Sequence, residues 1–340
     1  MLRLGIIGTG FISQHFIEAS RSFFEPVVIM SRSRENAQEL AKATGIDANH
    51  ASTIGQLLTH SLDAVYIASP NSLHAEHTLA AIDAGVHPIV EKPAFWNPAQ
   101  WESVHRAADT AGVLVLEAAR NMYEPGMTCV IEEAQKRKVT SACFTYAQYS
   151  SRWDALTAGQ IPNIFSLDFG GGALVDLGVY AVYTAIACFG EPSDVSYKAV
   201  LAPSGVDAHG TLVLTYPTFD VTIRVAKDYA ASSPAEIYAG RERLVFTGVN
   251  DIRSVELVGP EHSELLFTVE GAEADTPRSL SVLMAFEAQY FAQLIQSHKN
   301  GGLSSQQLER YAQLTEVSRL VNEICTRARH DAGIFFTGEK

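Results

Sequence analysis

The sequence has little positive charge and no extended apolar run. Its 340 residues contain 25 lysines and arginines against 38 aspartates and glutamates, which gives a formal net charge of −13 at pH 7. Proteins that bind nucleic acid carry basic patches, so this charge balance predicts no nucleic-acid partner. We find no apolar run that approaches the roughly 20 residues needed to span a bilayer, and no signal-peptide pattern at the start. We therefore expect no membrane partner either.

Cysteine is also scarce. The four cysteines lie far apart and form no C-x-x-C pair. This spacing favours reduced thiols in a cytoplasmic protein over a disulfide framework. His74 and His77 stand three residues apart, but no third ligand is suggested nearby, so the sequence predicts no metal site.

The first third of the chain alternates short apolar runs with helical patterns. Such alternation predicts strands buried on both faces of a parallel sheet, with helices between them. The predicted strands are 2–8, 26–31, 62–69, 86–91 and 113–117, and the predicted helices are 10–22, 34–44, 72–84 and 98–111. This pattern predicts an α/β Rossmann domain, a doubly wound parallel sheet, which we place at residues 1–122.

From residue 123 onward the pattern changes to alternating strands separated by turn residues. The predicted strands are 139–149, 195–201, 210–216, 221–226, 236–247 and 265–269. One helix, 172–189, lies among them, and two amphipathic helices close the chain. We therefore predict an α+β domain at residues 123–340 with a mixed, mostly antiparallel sheet, whose C-terminal helices could pack back on the first domain.

A glycine-rich turn stands between the first predicted strand and the first predicted helix. In "LGIIGTGFIS", Gly8, Gly10 and Ser13 occupy the positions of a G-x-G-x-x-G fingerprint, with serine in the third place. Gly8 allows a tight turn, and Gly10 lets the backbone approach a pyrophosphate at the N-terminus of the helix. We predict a dinucleotide site that comprises Gly8, Thr9, Gly10, Phe11 and Ile12.

The end of the second predicted strand indicates which dinucleotide binds. An NAD site usually has an acidic residue there to bind the ribose 2′-hydroxyl. Here the strand continues into Ser31 and Arg32, with no carboxylate at the tip. A hydroxyl and a guanidinium suit a 2′-phosphate, so we predict NADP(H), with NAD(H) as the alternative.

Two further features suggest chemistry. Lys92 follows a predicted strand, and doubly wound sheets bind ligands beyond the carboxyl ends of their strands. Asp176 is the only charge in the apolar predicted helix 172–189, and Tyr180 follows four residues later on the same helix face. A buried carboxylate must be paired or functional. From spacing alone, a structural salt bridge beside a core tyrosine is as plausible as a catalytic pair.

Two stretches resemble one known family. "DAVYIASPNSLHAEHTLAAIDAGVHPIVEKP" (residues 63–93) and "GGGALVDLGVY" (170–180) are similar to the Gfo/Idh/MocA oxidoreductases, in particular to the branch of dimeric dihydrodiol dehydrogenases and glucose–fructose oxidoreductase. The similarity spans nearly the whole chain. It implies a Rossmann domain, then a substrate domain with an open-faced sheet whose exposed face would form a dimer or tetramer. It also implies hydride transfer between nicotinamide and a hydroxyl or carbonyl carbon.

The resemblance carries over to individual residues. Lys92 matches the family's active-site lysine, and Asp176 and Tyr180 match its acidic and proton-donating positions. The matches to cofactor-contacting positions are Ser69, Pro70, Asn71, His74, Glu91 and Lys92. Many members have an aromatic residue and an arginine at the junction where this chain has Arg120 and Met122, so contacts made there are not carried over.

We therefore expect an NADP(H)-dependent oxidoreductase acting on a sugar, polyol or cyclic trans-diol, with Lys92, Asp176 and Tyr180 at the reacting oxygen. Whether Lys92 or Tyr180 donates the proton stays open. The alternatives are an NAD-dependent glycosidase or epimerase of the same fold and a non-catalytic dinucleotide sensor. In the loop 151–169, four residues could contact a hydroxylated substrate or belong to a structural loop: Arg152, Trp153, Asp154 and Asn163.

Overall fold

The computed structural model describes residues 1–271 and 276–339, which form two compact units. The first unit combines Met1–Arg120 with Arg278–Leu314, and the second combines Asn121–Pro277 with Thr315–Lys340. The C-terminal segment therefore contributes to both units. Each unit contains its own sheet.

A six-stranded parallel sheet forms the first unit. Its strands are β1 (Leu2–Ile7), β2 (Phe24–Met30), β3 (Asn49–Ala51), β4 (Ala64–Ile67), β5 (His87–Glu91) and β6 (Leu116–Ala118). Its N-terminal helices are α1 (Phe11–Ser20), α2 (Arg34–Thr44), α3 (Ile54–Leu57), α4 (His74–Asp83) and α5 (Pro98–Ala111). The strand order β3-β2-β1-β4-β5-β6 is that of a Rossmann domain and confirms the predicted fold class. The sequence did not indicate β3 and α3, because elements of three and four residues are too short to show a period.

The second unit contains an eight-stranded sheet. It begins with α6 (Pro125–Gln135). The strands are β7 (Ser141–Ala147), β8 (Asp194–Leu201), β9 (Asp207–Thr215), β10 (Asp220–Ala226), β11 (Ala235–Ala239), β12 (Glu242–Phe246), β13 (Ser254–Val258) and β14 (Ser263–Thr268). The helical segments between β7 and β8 include α7 (Trp153–Thr157), a π-helical turn (Leu174–Gly178) and α8 (Val179–Phe189). In the order β14-β13-β12-β11-β7-β10-β9-β8, β7 and β10 pair in parallel and the other neighbours pair antiparallel. This arrangement confirms the predicted mixed sheet.

Two long helices close the chain. They are α9 (Leu280–Lys299), which belongs to the first unit, and α10 (Ser305–Asp331), which begins in the first unit and ends in the second. Both helices were predicted from their apolar stripes.

The second unit differs from the prediction in several places, and α7 and β13 are among the elements that were not predicted. The single strand predicted at 236–247 is the hairpin β11–β12, because Gly240 adopts φ +65° and closes a tight turn between Ala239 and Glu242. The helix predicted at 172–189 begins with the π-helical turn. The prediction also omitted α6, where Gly126 weakens the helix signal although Pro125 suits the first helical position.

One segment corrects the expectation that no apolar run approaches the length of a membrane span. By length and composition alone, Leu167–Phe189 is long and apolar enough to cross a membrane. Most of it is buried inside the second unit, where α8 packs against α6, β7 and β10. A core helix that is apolar all round shows this pattern.

His87, at the start of β5, couples the first unit's stability to pH. Its Nδ1 accepts a hydrogen bond from the Leu114 N–H at 2.9 Å, which requires a neutral ring. Burial lowers the pKa of His87 to about 4, and the nearby His298 acts in the same direction. In the unfolded chain the pKa returns to about 6.5. Because the folded pKa is the lower one, protons bind the unfolded state preferentially, and stability falls as the pH drops from about 6.5 to about 4.

We predict that His87→Asn weakens this pH dependence, because the amide oxygen can accept the same bond without titrating. Near pH 5, the slope of the unfolding free energy against pH, measured by urea denaturation, should decrease by about 1.4 kcal/mol per pH unit. This change corresponds to about one fewer proton taken up on unfolding. His262→Asn, at a side chain that is 53% exposed, is the matched control. An unchanged slope in His87→Asn would contradict this account.

Candidate active site

The turn between β1 and α1 contains two glycines, Gly8 and Gly10, whose surroundings differ. Gly8 has φ +104°, and a Cβ there would lie 2.5 Å from the Ala68 carbonyl oxygen, so the protein's own packing requires glycine. A Cβ on Gly10 would meet no atom within 4 Å. Packing therefore leaves room for a side chain at Gly10, and that room lies at the N-terminus of α1. A helix N-terminus with open space beside a glycine suits the pyrophosphate of a dinucleotide.

The structure places the predicted cofactor residues of the first unit at one edge of its sheet. Ser31 and Arg32 follow β2, and the segment from Ser69 to Asn71 follows β4. Lys92 follows β5 directly and is half-buried. All these positions, like the glycine turn after β1, lie at the carboxyl ends of parallel strands. Because β1 and β4 are neighbours that lead to opposite halves of the sheet, this edge contains the crevice where such sheets bind ligands.

The residues after β2 are those that the sequence predicts to bind a 2′-phosphate. Arg32 is exposed. The Ser31 hydroxyl oxygen accepts a hydrogen bond from the Ser33 N–H at 3.3 Å. The nearest carboxylate along the chain, Glu35, lies in the first turn of α2 and accepts a hydrogen bond from the Ser33 hydroxyl at 2.8 Å.

His74 joins two of the loops at this edge. It is buried, and its Nε2 lies 2.9 Å from the Ser69 carbonyl oxygen while its Nδ1 lies 3.1 Å from the Pro93 carbonyl oxygen. An imidazolium would donate to both carbonyls, so the two carbonyls raise the pKa of His74 while burial lowers it. Burial dominates and lowers the pKa of His74 to about 4. A neutral His74 lies between the loops that carry Ser69 and Pro93 and donates to only one of the two carbonyls at a time, and its direct contact with a cofactor stays a prediction.

Glu91 also has a structural role. The Tyr66 hydroxyl donates to its carboxylate at 2.5 Å, and the Tyr66 ring stacks on Phe16 of α1 with the centroids 3.8 Å apart. Burial raises the pKa of Glu91, while the neighbouring Lys92 ammonium opposes that rise. These contacts fix the end of β5 just before Lys92. A cofactor contact by Glu91 stays a prediction.

In the second unit, the glycines before Asp176 are required by packing. A Cβ on Gly171 would lie 2.6 Å from the backbone of Ile164, and one on Gly172, at φ +132°, would collide with the carboxylate of Asp207. That carboxylate accepts the Leu174 N–H at 2.7 Å. Burial raises the pKa of Asp207, and its hydrogen-bond donors oppose the rise. Asp207 thus anchors the start of the π-helical turn that carries Asp176.

Asp176 is paired with a residue that the sequence reasoning missed. Its carboxylate accepts a hydrogen bond from the ammonium of Lys227, which follows β10. The Lys227 side chain is 2% exposed, whereas that of Asp176 is 37% exposed. A signal was present: the buried residues Val221, Ile223 and Val225 alternate along β10, and Lys227 continues this period by one step toward the same face.

Tyr180 lies in the first turn of α8 and is 7% exposed. Its ring packs edge-on against Tyr146 of β7 with the centroids 5.8 Å apart. Its carbonyl oxygen accepts hydrogen bonds from the Asn121 amide at 3.2 Å and from the Thr184 hydroxyl at 2.9 Å. The tyrosine is therefore held firmly beside the turn that carries Asp176.

The loop 151–169 divides into packed and exposed parts. Trp153 packs edge-on against Phe165 at 5.5 Å, and Asp154 accepts a hydrogen bond from the Tyr149 hydroxyl at 2.5 Å. Arg152 and Asn163 are exposed. These contacts give Trp153 a structural role, and substrate contact by the loop stays a prediction.

The two histidines weighed as metal ligands have other contacts. His74 faces the two backbone carbonyls, and the Nδ1 of His77 lies 3.0 Å from the Ser69 hydroxyl. Within the described ranges, no group of three or more histidine, cysteine, aspartate or glutamate side chains is arranged to hold a metal ion.

Comparisons with known proteins agree with this geometry. The Gfo/Idh/MocA family, described as an oxidoreductase family with an NAD-binding Rossmann fold, matches residues 2–119, and its C-terminal domain matches residues 138–248. The chain is 32% identical over 348 residues to scyllo-inositol 2-dehydrogenase (NADP(+)) IolU of Bacillus subtilis, with 100% of both chains covered. It is 26% identical over 218 residues to trans-1,2-dihydrobenzene-1,2-diol dehydrogenase of Xenopus tropicalis, covering 62% of this chain and 64% of that protein.

A solved structure shows the same fold over the full length. Levoglucosan dehydrogenase, in complex with NADH and levoglucosan, superimposes with a TM-score of 0.81 at 19% sequence identity. The match covers 98% of this chain and 97% of that one.

The two glycines of the β1–α1 turn provide a test of the cofactor site. Gly10→Ala should fold normally, with a Tm within about 2 °C of the wild type, because its methyl group enters open space. The same methyl would obstruct a pyrophosphate, so the Kd for NADP(H), measured by fluorescence titration, should rise at least about tenfold, or about 1.4 kcal/mol. Gly8→Ala is the control and should lower the Tm. Undiminished cofactor binding by Gly10→Ala would exclude this turn as the pyrophosphate site.

Proposed function

The chain belongs to the Gfo/Idh/MocA oxidoreductase family, and from this premise we propose that it is an NADP(H)-dependent dehydrogenase of a sugar, polyol or cyclic diol. The observation that carries the proposal is the arrangement around Asp176. A family-matching carboxylate is held by a buried lysine, yet more than a third of its side chain stays accessible. A purely structural ion pair would not need that access. The names of the relatives, an inositol dehydrogenase and a dihydrodiol dehydrogenase, support a hydroxylated cyclic substrate.

In the proposed mechanism, Lys92, Asp176 and Tyr180 act on one substrate oxygen. A bound nicotinamide would supply hydride acceptance or donation at its C4. Lys92 donates a hydrogen bond to the reacting oxygen and orients it, since an ammonium has three donors and no acceptor. The Tyr180 hydroxyl exchanges the proton, and a nearby positive charge assists a phenol whose ordinary pKa is about 10. Asp176 supplies the negative charge that orients the donors around the oxygen.

The proposal predicts turnover in a substrate screen and its loss in two variants. Wild-type protein with NADP⁺ and a panel of sugars, inositols and dihydrodiols should produce reduced cofactor, measured by absorbance at 340 nm. Lys92→Ala and Tyr180→Phe should each lower kcat by roughly 10²-fold or more, because each removes a hydrogen bond or proton transfer at the reacting oxygen. The KM for NADP⁺ should change little. Exposed Lys138→Ala is the control and should match the wild type.

Other outcomes of the screen would favour the alternatives. A tightly held cofactor that converts substrate without net reduction at 340 nm would indicate an epimerase or glycosidase. Cofactor binding without conversion of any substrate would indicate a sensor. Near-normal kcat in both Lys92→Ala and Tyr180→Phe would rule out the catalytic assignment.

The preference for NADP(H) rests on Ser31 and Arg32. A guanidinium pairs well with a phosphate dianion and gains little from a ribose hydroxyl. We predict that Arg32→Ala lowers the ratio of kcat/KM for NADP⁺ over NAD⁺ at least about tenfold, or about 1.4 kcal/mol. Arg34→Ala, two residues further along and equally exposed, should leave the ratio unchanged. Equal ratios in wild type and Arg32→Ala would contradict the preference.

We also propose a cytoplasmic homo-oligomer, a dimer or tetramer, as the working form. The four cysteines are free thiols, as expected in a reducing compartment. Leu265 on β14 is 59% exposed, and Val200 and Leu201 on β8 are 53% and 52% exposed. These exposed apolar side chains support the open face of the second unit's sheet as the contact.

A further inference from the structure

Lys227 is a buried cation whose surroundings hold it in one place. Its backbone N–H donates to the Ala208 carbonyl at 2.8 Å, and its own carbonyl accepts the Ser150 N–H at 2.8 Å. The residue is therefore fixed between the start of β9 and the segment after β7. With the side chain 2% exposed, the ammonium has little access to water.

An aromatic ring supports the ammonium from a second direction. The Nζ of Lys227 lies 4.9 Å from the centroid of the Phe165 ring, which is within range of a cation–π interaction. Phe165 is fully buried in a small cluster with Leu156, Ala202, Val206 and Ala208. The loop 151–169 thus contributes a rigid apolar wall that favours one direction for the ammonium, toward Asp176.

The partner carboxylate has a different environment. Asp176 is 37% exposed and lies in a π-helical turn, a rare helix distortion that often occurs at functional sites. A side chain that is both partly exposed and carried on an irregular turn can adopt several rotamers. A fixed ammonium selects one of them.

From this geometry we infer that Lys227 is a positioning residue that holds the Asp176 carboxylate in its reactive orientation without itself touching the substrate. The inference rests on the proposed function. It gives Asp176 a permanent counter-ion within its own unit, so that Lys92 is available to the reacting oxygen. Lys227 should then act through Asp176 alone.

A double-mutant cycle tests this inference. Lys227→Met keeps the length and apolar stem of the side chain but removes the charge. In the wild-type background we expect it to lower kcat by roughly 10-fold or more, with the KM for substrate and the Kd for NADP(H) within about twofold. In the Asp176→Asn background, Lys227→Met should cost less than about twofold, because the carboxylate that it positions is already absent. An equal loss in both backgrounds, or an effect confined to KM, would overturn the inference.

Two controls separate positioning from packing. Leu156→Val disturbs the same apolar cluster but keeps the Phe165 ring and the ion pair, and it should retain at least about a third of kcat. If Leu156→Val matches Lys227→Met, packing accounts for the loss and the inference fails. Lys138→Met, the same change at an exposed position of the same unit outside the sheet, should match the wild type.

A measurement without substrate distinguishes this inference from the proposed function. NMR of lysine ε-¹⁵N-labelled protein should show one slowly exchanging ammonium that disappears in Lys227→Met and shifts or broadens in Asp176→Asn. The absence of that signal would overturn the inference even in an active enzyme. If the signal is present and no substrate turns over, the proposed function fails while the ion pair stands.

Discussion

A carboxylate carried on an apolar helix segment needs a fixed positive partner, and this requirement organises the second unit. Lys227 supplies the partner for Asp176, and it is fixed in turn by β9, by the segment after β7 and by the ring of Phe165. Asp207 anchors the start of the same turn, and only glycine at position 172 leaves room for its carboxylate. Gly171 and Gly172 of the "GGG" stretch are therefore explained by packing against Ile164 and Asp207, independently of any ligand.

The first unit uses neutral and hydrogen-bonded groups in the same way, to fix loop ends. His74 lies between the carbonyls of Ser69 and Pro93 and donates to one of them, and the Tyr66 hydroxyl donates to Glu91. Residues that a family resemblance associates with the cofactor thus have structural roles of their own. Gly10 differs from them, because nothing in the protein's packing requires glycine there. That difference is the strongest local indication of a ligand in the first unit.

The sequence predicted the elements with a clear period or a clear end signal. The helices 34–44 and 98–111 were predicted with the bounds that the structure shows, since Ser33 and Asn97 cap them and Gly45 and Gly112 end them. The hairpin at Gly240 was missed because two strands of like alternation read as one across a two-residue turn. Lys227 was missed because a lysine at a strand end is usually exposed. Only its spacing of two residues from the buried series Val221, Ile223 and Val225 indicates that it is buried. The pairing of Asp176 depends on a contact 51 residues away in the chain, which no local pattern encodes.

Hydride transfer from a carbinol carbon to nicotinamide is the central claim, and isotopic labelling tests it most directly. The wild-type protein would be incubated with NADP⁺ and the C-deuterated form of the sugar, inositol or dihydrodiol that it oxidises fastest. The account predicts one deuterium at C4 of each NADPH, read by NMR, and at most about a hundredth as much labelled NADPH with Lys92→Ala over the same period. NADPH without deuterium, or oxidation of no substrate in these classes, would contradict the account.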